Sequence, residues 1–486
     1  MRTTADQPSP PSARPLHRLR VALTSGLLGL SVAACSPHPG DAPGPGGGLN
    51  LIELTIDDAQ SALLHGRISC EALTARYLAR IAAYDPPPRA AQEGPDTGAN
   101  PGGALTSALS PPETSPTELN AIIRVNPNAL ARARALDAEF ARLGRLRRLH
   151  CMPVILKDNF DTADMPTEAG SVALAGSLPP DDAFMVRQLR AAGAIVLAKS
   201  NMGEWAFSPY RTISSTHGET RNAYELSRVP AGSSGGTASA IAANLGDIGM
   251  GTDTGNSIRG PASHLALVGI RSTLGATSRD GIVPLLANRD VGGPMLRTVR
   301  DTALVYSLLA GYDPADPLTA QAKGRVEADY TRFLDRDGLR DARLGVLRAL
   351  VDTDTADPEV TAVFERALAD LARAGATVVD PFEIPRFEEL TAATGFCSRF
   401  RFDLARYLAS LGPDDEVKIV CCDRTDYLWA RDEVVGAGRL APRVPITFSP
   451  VWGELDPREL AEWILADRLP VRFQVQLHKV VWPDAE

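Results

Sequence analysis

The sequence predicts an α/β fold, a sheet whose faces are covered by helices. Short apolar runs at 152–156 and 194–198 alternate with stretches of helical periodicity, the rhythm of strand and crossover helix. The composition, 44% hydrophobic and 22% charged over 486 residues, is that of an ordinary globular chain with a large core. No internal repeat interrupts the rhythm. Such a length allows two or three domains, or one large α/β domain.

The first 34 residues stand outside that fold. Arg14, Arg18 and Arg20 precede the apolar run from Val21 to Ala34, followed by Cys35. A basic region, a short apolar stretch and small residues describe an export signal, too short to span a bilayer comfortably. Val32-Ala-Ala-Cys35 resembles the bacterial lipoprotein box, which implies a lipidated Cys35 as the mature N-terminus and a membrane-anchored protein facing the periplasm or exterior. An ordinary cleaved signal with an incidental cysteine is the alternative. Residues 35–50, rich in proline and glycine, read as a flexible tether.

Residues 51–411 carry the α/β pattern. Ser69 is placed to cap a helix through about Ala83, with Leu73, Tyr77, Leu78 and Ile81 on one face. Residues 85–118 form a Pro/Gly-rich surface insertion, and a helix from Asn128 to Leu143 follows, aligning Leu136, Phe140 and Leu143. Next come a strand at 152–156, a helix near 181–192, a strand at 194–198 and a helix over 237–245. Strands are expected again at 246–250, 267–270, 342–347 and 376–380, with a helix at 358–374. Beyond residue 411 the rhythm stops, and four of the five tryptophans, Trp429, Trp452, Trp463 and Trp482, fall there. Residues 412–486 therefore mark a composition break.

A net charge of −9 gives no support to a nucleic-acid surface. Removal of residues 1–34 would take away four arginines and one aspartate, leaving a more acidic chain. The five cysteines after Cys35 (Cys70, Cys151, Cys397, Cys421 and Cys422) match no zinc spacing, and Cys70, Cys151 and Cys397 read as small buried hydrophobes. Neither metal nor cofactor is expected.

Three separated stretches carry chemistry. Lys157 ends an apolar run, where burial would lower its pKa and make the neutral amine available as a base. The alternative is a surface lysine paired with Asp158. Gly232-Ser-Ser-Gly-Gly236 precedes an alanine-rich helix. It could bind an anion, cap the helix, or serve as a nucleophile elbow centred on Ser234, with His264 or His217 as base. The elbow needs a preceding strand, and residues 225–231 make a poor one. Gly251-Thr-Asp-Thr-Gly-Asn-Ser-Ile-Arg259 offers successive backbone amides leading into Ser257, as an oxyanion hole requires, with Asp253 and Arg259 paired across it. A turn with a surface salt bridge is the simpler alternative.

Together these stretches resemble the amidase signature family: a lysine after an apolar strand, a Gly-Ser-Ser-Gly-Gly bend, and a serine on a Gly-Thr-Asp loop. Ser233 and Ser257 lie 24 residues apart. The resemblance covers about residues 51–410 and implies a large mixed sheet covered by helices on both faces. It implies a Lys-Ser-Ser triad of Lys157 (base), Ser233 (bridging serine, held by a cis peptide) and Ser257 (nucleophile). Thr254, Gly255, Asn256 and Ser257 would supply oxyanion amides, with Ser234, Asp253 and Arg259 in support. Asn256 stands where most members carry glycine, as in a subset of bacterial and plant amidases, and the family's Gly/Pro-rich closing stretch is not recognisable, so that beside the family residues 412–486 read as a divergent or frame-shifted tail expected to pack irregularly. The implied activity is hydrolysis of a small-molecule or peptide carboxamide through an acyl-enzyme on Ser257. Glu204-Trp-Ala-Phe207 and Asp181-Asp-Ala183 resemble bacterial peptide amidases, and the leader disfavours the cytoplasmic tRNA-dependent amidotransferase subunit. Two other readings stay open: a catalytically impaired protein of the same fold, and an esterase using Ser234 and His264.

Overall fold

The computed structural model describes residues 49–86, 118–392, 399–411, 417–436, 446–451 and 454–473. The leader with Cys35, most of the tether and of the 85–118 insertion, Cys397, Trp452 and Trp482 lie outside the described residues.

Two helices open the fold, α1 (Ile56–Leu64) and α2 (Cys70–Tyr84). Each starts at a β-region residue whose hydroxyl accepts a first-turn N–H: Thr55 from Asp58 at 3.1 Å, Ser69 from Ala72 at 3.0 Å. Strand β1 (Ile122–Val125) and helix α3 (Ala129–Leu143) follow, α3 ending on Gly144 in the left-handed conformation. The central units are β2 (Pro153–Lys157), α4 (Phe184–Ala191), β3 (Ile195–Ser200), the hairpin β4 (Ile213–Ser214) and β5 (Gly218–Glu219), α5 (Gly235–Ala242) and β6 (Ile248–Asp253). Then come α6 (Arg259–His264), β7 (Val268–Gly269), β8 (Val291–Leu296) and α7 (Val299–Leu309).

Six of these strands form one mixed sheet in the order β1-β3-β2-β6-β8-β7. Strands β3, β2 and β6 run parallel, while β1, β8 and β7 pair antiparallel with their neighbours. All positions of β2, β3, β6 and β8 are buried, as expected of central strands covered on both faces. The sequence pattern does not predict β1 or β8. In β8 the run Gly292-Gly-Pro294 has the composition of a turn, yet it lies between β6 and β7. A side chain at Gly293 would come within 2.3 Å of the Ile270 carbonyl oxygen, so close strand approach requires the glycine.

Two expected strands lie outside this sheet. β9 (Arg343–Gly345) and β10 (Thr377–Val379) pair with each other alone, parallel, and α8 (Pro358–Arg373) crosses between them. Helices α9 (Phe387–Ala392) and α10 (Phe400–Leu408) follow.

The tail departs from expectation. Instead of packing irregularly, β11 (Val417–Cys421), β12 (Ile446–Pro450) and β13 (Arg472–Phe473) form a parallel three-stranded sheet, with α11 (Arg424–Trp429) and α12 (Pro457–Ala466) in the crossovers. Cys421, Tyr427, Phe448, Leu460 and Ile464 make its core. No described tail strand joins the six-stranded sheet. Of the tryptophans that break the composition, Trp429 and Trp463 pack against this small core, where Tyr427 also packs on Phe448 and Trp463.

The cysteine reading is also corrected. Cys70, at the start of α2, and Cys151, just before β2, form a disulfide with Cα atoms 5.4 Å apart. Both are fully buried, which is why they resemble small hydrophobes in the sequence. Cys421 and Cys422 are free thiols.

Candidate active site

Parallel β3, β2 and β6 bring their C-terminal ends to one edge, where open α/β sheets gather their chemistry. Lys157 is the last residue of β2 and is fully buried. Its Nζ lies 2.8 Å from Ser233 Oγ and 2.7 Å from Thr252 Oγ1. Burial pulls its pKa down to about 7, with the charges of Asp290 and Asp253 acting in the opposite direction. The surface-lysine alternative fails on position and on partner. Asp158 lies 3.9 Å from a second buried lysine, Lys199, whose Nζ donates to Phe160 O and Thr167 Oγ1.

Ser233 is fully buried on a loop threaded between other loops, and the Gly232–Ser233 peptide is cis. Gly232 N donates to Pro209 O at 3.0 Å, and Ser233 O accepts from Gly203 N at 2.9 Å. A side chain at Gly232 would meet the Arg211 and Ser208 carbonyl oxygens at 2.4 and 2.5 Å. That crowding accounts for the glycine in the bend.

The loop after β6 is tied down by Asp253. Its Oδ2 accepts from the backbone N–H groups of Ile258 (3.1 Å) and Arg259 (3.3 Å) and from Arg259 Nε (3.1 Å). Its Oδ1 accepts from Arg271 Nη1 at 3.0 Å. Burial alone would raise this carboxyl, but the Arg259 guanidinium, the Ile258 N–H and Arg271 outweigh it and hold it below the usual carboxylate range. The alternative of a surface salt bridge does not hold, since the Asp253 side chain is fully buried. The Thr254 hydroxyl donates to Asp290, whose other oxygen accepts from Leu285 and Leu286 N–H. Gly255, Asn256 and Ser257 donate no backbone N–H to a protein acceptor among the described residues. Ser257 opens onto a cavity of about 530 Å³, lined also by Phe207, Tyr210, Asn256, Leu285 and Arg289.

Ser234 is turned to a structural task. Its Oγ donates to Thr252 O at 3.2 Å and accepts Thr252 N–H at 3.3 Å, tying the bend to β6. No strand directly precedes it, and among the described residues neither candidate histidine bonds to it. The His264 ring meets Val229 O at 3.3 Å, and buried His217 has an unpartnered Nδ1 and a pKa lowered to about 4 by burial. The elbow reading, with its esterase mechanism through Ser234 and His264, therefore fails. Sequence reasoning missed Thr252, Asn159, whose Nδ2 donates to Thr252 Oγ1 at 3.0 Å, and Asp290. Thr252 lies inside the Gly-Thr-Asp motif, whereas nothing local marks Asp290. Among the described residues no group of acidic, histidine and cysteine side chains is placed to hold a metal ion.

The amidase family model matches residues 104–444, and the chain belongs to that family. It is 37% identical over 373 residues to a glutamyl-tRNA(Gln) amidotransferase subunit from Acidothermus cellulolyticus, a match covering 75% of this chain and 66% of the relative. Against the corresponding subunit from Mycobacterium tuberculosis the identity is 40%, with 59% of each chain covered. The chain thus spans roughly three-fifths to two-thirds of these relatives' length. Among solved structures, it resembles native peptide amidase from Stenotrophomonas maltophilia, with 37% identity and a TM-score of 0.62, covering 81% of this chain and 73% of that one. An amidase family protein from Bacillus anthracis gives 30% identity and a TM-score of 0.62, covering 80% and 71%.

Proposed function

We propose that this chain hydrolyses a carboxamide to carboxylate and ammonia or amine, through an acyl-enzyme on Ser257. One observation carries the reading: a fully buried lysine with a pKa near 7 sits 2.8 Å from the Ser233 hydroxyl, in a chain of the amidase family. Neutral Lys157 accepts the Ser233 proton as Ser233 accepts that of Ser257, and Ser257 Oγ attacks the amide carbon. The developing oxyanion is met by the N–H groups of Thr254, Gly255, Asn256 and Ser257, none of which donates to a backbone acceptor among the described residues, worth roughly a few kcal/mol per donor. The proton returns through Ser233 to the leaving nitrogen. Water, deprotonated by the same route, then cleaves the ester.

A fluorophosphonate label followed by peptide mapping tests this. Label on Ser257, lost in Lys157→Ala, supports the reading. Label on another residue refutes it, and no label favours a catalytically impaired protein.

An exported, lipid-anchored location accords with the leader ending at Cys35 and with the Cys70–Cys151 disulfide, since such bonds persist in oxidising compartments. An unmodified mature N-terminus elsewhere, found by mass spectrometry, would count against the anchor. Peptide C-terminal amides are the first substrates to try, given the similarity to peptide amidase.

A further inference from the structure

The Pro209 carbonyl is a junction between the two serine loops. Gly232 N, in the bend that carries Ser233, donates to it at 3.0 Å, and Asn256 Nδ2, one residue before Ser257, donates to it at 3.4 Å. The segment around Pro209 is fastened to the bend by further bonds. Thr212 Oγ1 donates to Ala231 O at 2.9 Å and accepts Gly235 N–H at 3.1 Å. The Ser208 and Arg211 carbonyl oxygens also crowd Gly232. A group that grips Pro209 O therefore grips the bend.

The other braces of the Ser257 loop run elsewhere. Asp253 ties it to Ile258 and Arg259 N–H and to Arg271, Thr254 ties it to Asp290, and Ser234 joins the bend to Thr252, upstream of the loop. The Asn256 carboxamide instead crosses to the Pro209 segment, at the wall of the cavity onto which Ser257 opens. Its position is recorded at Gly260, in the first turn of α6. A side chain there would bring its Cβ within 2.8 Å of Asn256 Cγ and closer still to Nδ2. Gly260 has no left-handed φ, so its backbone accepts alanine, and the group that must give way is the Asn256 carboxamide.

Resting on the amidase reading of the site, we propose that Asn256 is a positioning residue: its carboxamide, through Pro209 O, holds the Ser257 loop in register with Ser233. The relay from Ser257 to Ser233 passes a proton between hydroxyls, which needs their oxygens about 2.7–2.8 Å apart and aligned. A shift of about 1 Å costs such a step about a hundredfold, and one neutral hydrogen bond governs part of it, about tenfold.

The test follows fluorophosphonate labelling of Ser257 over time, which needs no known substrate. Asn256→Ala and the isosteric Asn256→Asp, which lacks the donor, keep the backbone N–H. Each should lower the limiting labelling rate about tenfold while the probe's apparent affinity changes by less than about twofold. In Asn256→Ala the acidic limb of labelling should stay in place near pH 7, because a loss of register leaves the Lys157 base untouched. Gly260→Ala, which displaces the carboxamide without altering Asn256, should slow labelling by a similar factor, yet add nothing in an Asn256→Ala background. Melting curves check folding. Alanine favours the helix, so Gly260→Ala carries the test should the Asn256 variants fail to fold. Unchanged rates in both Asn256 variants, a shifted acidic limb, a Gly260→Ala that slows nothing, or one that slows both backgrounds equally would each overturn the proposal. An unsubstituted protein that does not label at Ser257 overturns the amidase reading and this role with it, whereas label there with any of those outcomes removes the role of Asn256 alone.

Discussion

The six-stranded sheet and the chain from residue 343 onward both use strand–helix–strand units, yet they differ in burial. In the first, β2, β3, β6 and β8 are buried at every position. In the second, β9 and β10 contain no buried residue, α8 has none either, and Val360 and Val363 face outward. The tail sheet regains a core, but a small one of its own. The contrast shows what the chemistry requires. A lysine amine is pulled to about pKa 7 only where water is excluded on all sides, and of these two regions the first excludes it. Lys157, Ser233 and Ser257, the residues proposed to react, all lie upstream of residue 310 in the sequence, apart from the region of unusual ending.

The largest effect should come from striking the buried region at its base. Lys157→Ala is expected to lower kcat by about three orders of magnitude or more. In the unsubstituted protein the rate should rise with pH through about 7 as the amine loses its proton, and this acidic limb should vanish in the variant. A pH–rate profile with circular dichroism of both proteins checks this, and a folded, active Lys157→Ala would remove the lysine from the mechanism.

Two core lesions, one in each region, probe the separation. Phe448→Ala empties the centre of the tail sheet and should cost that unit about 3–5 kcal/mol, while Ser257 still labels with a fluorophosphonate. Loss of labelling would show that the tail holds the site together. Opening the Cys70–Cys151 disulfide by Cys70→Ser with Cys151→Ser releases an 81-residue separation directly before β2, and should cost about 2–5 kcal/mol in a denaturant titration. Because Cys151 leads into the strand that ends in Lys157, this lesion should reach activity as well as stability.

The same contrast explains what is legible in the sequence. Where burial and chemistry coincide, residue types are constrained: the apolar run into Lys157, the glycines around Ser233 and the Gly-Thr-Asp loop stand out by composition and spacing alone. β8 escapes because close packing against Ile270 demands glycines, which read as a turn. Asp290 escapes because its role depends on meeting Thr254 from 36 residues away, and no local pattern records such a meeting. The disulfide joins residues 81 apart and has the same character. In the tail the discrepancy runs the other way. The lack of a family-like apolar alternation there suggests irregular packing, whereas Tyr427, Phe448 and Trp463 pack together in the small core of a three-stranded sheet.

The smallest expected effect lies at the seam, where α10, the last helix before the tail, meets the site's surroundings. The Tyr407 hydroxyl donates to Asp161 Oδ1 at 2.7 Å, and Asp161 is buried within reach of the Lys199 charge. Burial raises the Asp161 carboxyl to about 7, against the opposing pull of the Tyr407 hydrogen bond and of Lys199. A carboxyl raised in the folded state favours folding while protonated, and that contribution is lost as pH climbs from the unfolded value of about 4 through 7. The tyrosine hydroxyl favours the ionised form, so its removal should matter most where that form is populated. Tyr407→Phe is therefore expected to destabilise the protein by about 1–2 kcal/mol at pH 8 and by less at pH 5, read from paired denaturant titrations. Equal losses at both pH values would mean that the hydroxyl serves packing alone. A drop in Ser257 labelling at pH 8 would show that α10 braces the active site through Asp161, making the two regions less separable than their burial suggests.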